Sequence, residues 1–349
     1  MSTSSLPFPT AVSLAKADVE QNYWRCVDSR CADSSYHFAV VVPRAWRPLD
    51  TPVAPPQDDG ALVSLAVIRP AAVVTAELEV SACKLPREVA PADWLDLYIE
   101  SLGLEVLARR VLDTAGGAVA DILTRTQAEA GDEALDPLIT RWLAIKNYDR
   151  LFVLQGRALA PNYASEAESL FIALTNFILL QPIDWPLAER LRSFSRRLPG
   201  DFLLLYPESW QLTEDPGNSA RALQVSLIQR VADIAVGELA FVTVARAAET
   251  DPQALATIFT EDLRRGGATA PNLVLTPAAP KPGFSDTWSA ATVAVRGEQK
   301  LDVKAWVGAR PDAWFFLGLI GPTRETQAEA WAVNSRAFDL VLQRLTVVV

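Results

Sequence analysis

A chain of 349 residues that is 50% hydrophobic and 21% charged exceeds the usual size of one domain and can build packed cores. Disorder is excluded and two domains are the first expectation. Lys and Arg total 32 against 42 Asp and Glu, a net charge of −10 with no basic run, which makes nucleic acid and anionic membranes poor partners.

The opening stretch, MSTSSLPFPTAVSLAKADVE, lacks the basic start and long apolar core of a secretory signal. Cys26, Cys31 and Cys83 are too few, and odd in number, for a disulfide framework, and they fit a reducing compartment. A soluble, cytoplasmic protein without stable membrane insertion is expected.

The first element is the apolar run YHFAVVVP, a buried strand closed by Pro43, with Trp46 following in PRAWRPL. ALVSLAVIRP reads as the next strand and ELEVSACKL as a third, valine-rich and alternating. A helix then opens with Pro91, carries Trp94, Tyr98 and Leu102 at helical spacing, and stops at Gly103. Further strands, among them ITRWLAIK, precede a closing helix in which Ser165 and Glu168 stand at capping-box spacing. LFIALTNFILL, within and just after that helix, is too short to span a bilayer. Residues 181–200, bounded by prolines and locally rich in arginine, read as a connector with room for a short helix.

The same order then begins again. DFLLLYP ends in Pro207, and Trp210 follows in PESWQL. Phe38 and Phe202, Pro43 and Pro207, Trp46 and Trp210, Trp142 and Trp306, and Leu174 and Phe338 all stand 164 residues apart. Ser64 and Ser226 are 162 apart and Pro91 and Pro252 are 161 apart, a drift of the kind that loop insertions produce. Leu255, Phe259 and Leu263 repeat the first helix, with Gly266 and Gly267 closing it. WSAATVAVRG, KLDVKAWVG and AWFFLGLIG repeat the late strands. Thr326 and Glu329 repeat the capping box, and Trp331, Phe338, Leu342 and Leu345 share a face of the last helix. A period this long marks a duplicated domain, not a solenoid. Two α+β domains follow, 1–183 and 184–349, each an antiparallel sheet flanked by helices.

Catalytic constellations are not legible. His37, the one histidine, has Asp201 as its counterpart in the repeat and reads as structural or solvent-facing. Cys26 and Cys31 lack a second ligand pair, and Cys83 reads as a small buried hydrophobe, so neither metal nor cofactor is expected. AGGAVA and RGGATA are turns without phosphate-loop spacing. Trp46 and Trp210 read as core plugs. Trp142 and Trp306 lie on alternating strands and read as core or as binding surface. Trp288, Trp314, Trp185 and Trp24 lack an aromatic equal in the other copy. Aromatics that folding does not require twice are candidates for a partner site. Trp142, Trp306, Trp288 and Trp314 are the candidate partner surface.

An apolar strand running into P-x-x-W, a helix, antiparallel strands and a closing helix resembles the PsbP/Mog-like superfamily. Phe38, Pro43, Trp46, Phe202, Pro207 and Trp210 carry that resemblance, and they are structural residues. Its bacterial branch includes DcrB-like proteins and the Eag-type chaperones of type VI secretion. The resemblance implies a noncatalytic binding fold, here two copies forming a pseudo-dimer within one chain and compatible with a monomer. The expected function is an adaptor or chaperone holding an apolar protein segment, such as that of a secretion effector. A small-molecule or lipid carrier and an unrecognised enzyme stand as alternatives.

Overall fold

The structure, a computed structural model, describes residues 6–114, 117–126, 136–247 and 251–347. It divides into two compact units, Met1–Ala188 and Glu189–Val349. In the first, α1 (Lys16–Asn22), β1 (Tyr23–Asp28), β2 (Phe38–Pro43), β3 (Trp46–Pro48), β4 (Val63–Pro70) and β5 (Ala76–Lys84) come first. Then follow α2 (Pro91–Ser101), β6 (Glu105–Thr114), β7 (Gly117–Arg125), β8 (Leu138–Asn147), β9 (Arg150–Leu159), α3 (Ala160–Thr175) and β10 (Ile178–Leu179). The second contains β11 (Leu191–Arg196), β12 (Phe202–Pro207), β13 (Trp210–Glu214), β14 (Ala222–Val231), β15 (Ile234–Ala245) and α4 (Pro252–Arg265). After these come β16 (Thr276–Pro277), β17 (Asp286–Arg296), β18 (Gln299–Ala309), β19 (Ala313–Pro322), α5 (Ala328–Arg344) and β20 (Thr346–Val347).

Each unit pairs a three-stranded sheet with a seven-stranded one, all antiparallel. The large sheets run β3-β4-β5-β9-β8-β7-β6 and β13-β14-β15-β19-β18-β17-β16, and the small ones β1-β2-β10 and β11-β12-β20. Adding ten to every strand of the first unit gives the second. Such an identity of order is what a tandem duplication leaves behind, and the class is α+β.

The structural anchors sit where the pattern puts them. Phe38 and Phe202 open β2 and β12, and Trp46 and Trp210 open β3 and β13, each at most 3% exposed. In the first unit α3 and the small sheet pack on one face of the large sheet, and β2, β4, β5, β9 and α3 supply that core. In the second, α5 and its small sheet cover the matching face while α4 covers the other.

Trp142 and Trp306 are not equivalent. Leu154 and Leu317 both enter the core beneath the closing helix, and their hydrogen-bonded neighbours are Leu143 and Trp306. The true offset here is therefore 163, and Trp142 faces α2 while Trp306 faces α5. Side chains alternate along a strand, so a one-residue slip moves a residue to the opposite face.

Other local expectations change too. The stripe that α2 buries is Ala92, Leu95 and Ile99, while Leu102 is exposed. Trp94 and Tyr98 instead stack on each other, ring centroids 5.1 Å apart. Neither capping box forms. The helix α3 begins at Ala160, with Pro161 in its first turn where the missing N–H costs nothing, and Ser165 Oγ bonds back to Asn162. The cap residue of α5 is Gln327, with Thr326 turned back to Thr323. Within the presumed connector, residues 191–196 are strand β11, not helix. Phe194 points inward, and Arg192 and Arg196 point out to Glu208 and Glu214.

Candidate functional site

The helix α3 packs over β9, β5 and β8, and beyond it lie the outer strands β7 and β6 of the same sheet. On this margin lies an open groove of about 660 Å³. Leu143 and Ile145 of β8, Val119 of β7 and Leu112 of β6 make its floor, and Thr175 at the end of α3 makes one wall. The opposite wall is the segment Ile183–Pro186, with Trp185 at the rim, 39% exposed.

That wall is fixed by the sheet itself. Asn147 Nδ2 donates to the Ile183 carbonyl and Asn147 Oδ1 accepts from the Ile183 amide, both at 2.8 Å. The Tyr148 amide donates to the Trp185 carbonyl at 3.1 Å. Tyr148 holds φ at +59°, a left-handed conformation that a bulky residue adopts at a cost, in the β8–β9 turn. Further on, Glu88 accepts from the Ala188 amide and from Lys146 Nζ, a salt bridge 2% or less exposed on both sides. The rim tryptophan is thus held by a rigid frame rather than by a loose loop.

At the groove's other end stands a charged cluster. Arg141 donates from Nε to Asp121 Oδ1 at 2.9 Å and from Nη2 to Oδ2 at 2.7 Å, and Arg110 Nε donates to the same Oδ2 at 2.7 Å. Arg141 and Asp121 are 0% and 2% exposed. The Arg141 guanidinium lies between two phenyl rings, 4.5 Å from Phe8 and 4.7 Å from Phe171. Beside it, Tyr163 Oη has no hydrogen-bond partner, and burial pushes its phenol up to about 12. The segment of residues 6–14 lies across this cluster.

The second unit fills the equivalent floor. Trp306 stands where the first unit has Leu143, and Gly308 where it has Ile145. The Trp306 indole lies over Gly308 with Phe284 packed edge-on against it at 5.1 Å. The position of Arg141 is taken by Lys304, which donates to Ser335 Oγ at 3.1 Å.

Of the four tryptophans picked out as a partner surface, Trp142, Trp306 and Trp314 are 4%, 2% and 3% exposed. Trp142 Nε1 donates to Thr124 Oγ1 at 2.8 Å beneath α2. Trp288 is half-buried against Trp314, and the structure brings neither to the groove. Trp185, one of the four tryptophans without an aromatic counterpart but not one of those picked out as a partner surface, lines the groove. Cys83 is buried, its thiol pushed up to about 12 by desolvation. His37 Nε2 lies 2.8 Å from the Cys31 carbonyl. Among the described residues no helix is long and apolar enough to cross a membrane.

No family model matches the chain, and no curated protein matches it in sequence. Solved structures do. Cyanobacterial PsbP from Synechocystis matches at 12% identity and TM-score 0.35, over 45% of this chain and 92% of its own. The Ran-binding protein Mog1p of Saccharomyces cerevisiae matches at 11% identity and TM-score 0.30, over 46% and 96%. The immunity protein TplEi of the Pseudomonas aeruginosa type VI secretion system matches at 12% identity and TM-score 0.24, over 93% and 97%.

Proposed function

We propose that the chain is a noncatalytic adaptor or chaperone of the cytoplasm that holds an apolar segment of another protein in the groove of its first unit. One observation carries the reading: the Leu143–Ile145 floor is open beside a fixed tryptophan, while the second unit plugs the same floor with Trp306 and Phe284. A floor that one copy covers with aromatic rings and the other uses to line a groove, with a large amphipathic ring at its rim, is suited to recognition. Carrying both copies in one chain replaces association by linkage and keeps the units at high effective concentration, as a pseudo-dimer. An effector of type VI secretion as the client rests on the sequence resemblance.

The test transplants the plug. Leu143→Trp with Ile145→Gly should fill the groove as Trp306 and Gly308 do, leave the fold intact by circular dichroism, and abolish protection of an apolar client from aggregation. Full protection by the plugged protein would overturn the reading.

The groove's volume also falls within the range of small-molecule sites, and this favours one second reading, a lipid or metabolite carrier. A stoichiometric small ligand in native mass spectra, lost on plugging, would support the carrier; a clean protein mass would count against it.

A further inference from the structure

Residues 6–14, Leu-Pro-Phe-Pro-Thr-Ala-Val-Ser-Leu, are tied to the first unit at their backbone. Arg141 Nη2 donates to the Pro9 carbonyl at 2.7 Å and Arg110 Nη1 to the Thr10 carbonyl at 3.2 Å. The Ser13 and Leu14 amides donate to Glu168 Oε1 at 2.6 and 3.3 Å. Phe8 lies against the two guanidiniums, 4.5 Å from that of Arg141 and 5.9 Å from that of Arg110, and Leu6 also packs on the core. Yet no residue from 6 to 15 is buried, and α1 after them buries nothing.

The cluster beneath stands without this segment. Asp121 pairs with both arginines through its own oxygens, and Phe171 stacks on Arg141 from below. The segment therefore lies on a finished surface as a peptide ligand would. Its composition fits that role. Proline on both sides of Phe8 removes two backbone donors and fixes an extended course before binding, so little freedom is lost on docking. Extended proline-bearing segments in aromatic-lined grooves are a recurring mode of peptide recognition.

We propose that this surface is a peptide-binding site for extended segments with a phenylalanine set among prolines, and that residues 6–14 are its resident, exchangeable occupant. The site deepens the reading of the preceding section, on which it rests, because it is continuous with the open groove. Arg110 donates to Thr10 and also lines the groove. A partner segment would seat its phenylalanine on the Arg141 and Arg110 guanidiniums where Phe8 lies, give two carbonyls to the arginines, and run on over Leu143 and Ile145. Residues 6–14 would compete with it at the high local concentration that tethering provides.

The test needs no natural partner. A fluorescent peptide of residues 6–14 is titrated by anisotropy into the full chain and into a chain lacking residues 1–14. Saturable one-to-one binding to the shortened chain, at least about ten-fold weaker to the full chain, is expected. Phe8→Ala in the peptide should remove binding. If the shortened chain does not fold, the full chain carrying Phe8→Ala takes its place and should bind the unaltered peptide more tightly than the parent does. Equal binding to parent and variant, or none to a folded variant, would overturn the proposal. So would a concentration-dependent dimer that Phe8→Ala dissolves, since the occupant would then be a second copy. Failure here with the plug experiment still succeeding removes this site alone. Success here with failure of the plug experiment removes the client groove alone.

Discussion

The same sheet face has two different fates in the two units. In the second, the floor beneath α5 is closed by Trp306 and Phe284 over Gly308, and Lys304 donates to Ser335 and pairs with Asp302 at 3.8 Å. In the first, the matching floor is open, a buried carboxylate binds two guanidiniums, and an extended piece of the chain lies over them. Strand order is shared, so the fold does not require either arrangement. A duplicated domain retains what builds the sheet and is free to alter what lies on it, and function belongs to the altered part.

The largest effect should come from breaking the buried charge cluster. Asp121→Ala leaves a fully buried guanidinium without its partner and should cost about 4 kcal/mol in urea unfolding followed by hydrogen exchange, confined to the first unit. Lys304→Ala at the equivalent site is the control. Its side chain is 27% exposed, and the loss should stay below about 1 kcal/mol. Comparable losses at both would mean that the two faces do not differ as described.

Next comes the plug. Trp306→Ala removes a side chain 2% exposed and should cost about 3 kcal/mol in the second unit. The variant should also acquire an opening like that of the first unit, seen as uptake of an apolar dye. Gly308→Ala approaches the same feature from the other side. A methyl there would meet the Trp306 indole and the Phe284 ring, and displacing them should cost about 2 kcal/mol in thermal unfolding.

How much of this the residues announced depends on the range over which they act. Phe38, Pro43 and Trp46 recur with their partners because strand, stop and plug are local necessities, and so the duplication is legible. Trp142 and Trp306 misled for a local reason. Two tryptophans at a constant spacing look equivalent, but only the hydrogen-bonded register shows that one of them has changed face. The groove draws on β6, β7, β8 and residues 183–186, which no window along the chain brings together. Trp185, which lines it, shares its lack of an aromatic counterpart with Trp24, Trp288 and Trp314, so that feature alone does not point to the groove. Glu168 shows the same limit, since it reads as half of a capping box and instead holds the amides of Ser13 and Leu14.

The smallest effect at neutral pH distinguishes the units through their titration. Tyr36, Cys83 and Tyr163 all lie in the first unit, and burial raises each to about 12, from 10.0 for the phenols and 9.0 for the thiol. A raised folded value means that the folded state keeps its proton while the unfolded chain loses it. Stability from these groups is therefore complete below pH 9 and falls as pH climbs towards 12, at about 1.4 kcal/mol per pH unit for each group within its window. The first unit should accordingly unfold ahead of the second on alkaline titration. Tyr163→Phe deletes a hydroxyl that has no hydrogen-bond partner, so neutral stability should change by less than about 0.5 kcal/mol. The same substitution should remove one group's share of the alkaline loss. A first unit that unfolds at the same pH with tyrosine or phenylalanine at 163 would show that this hydroxyl is not held in a dry site beside Arg141.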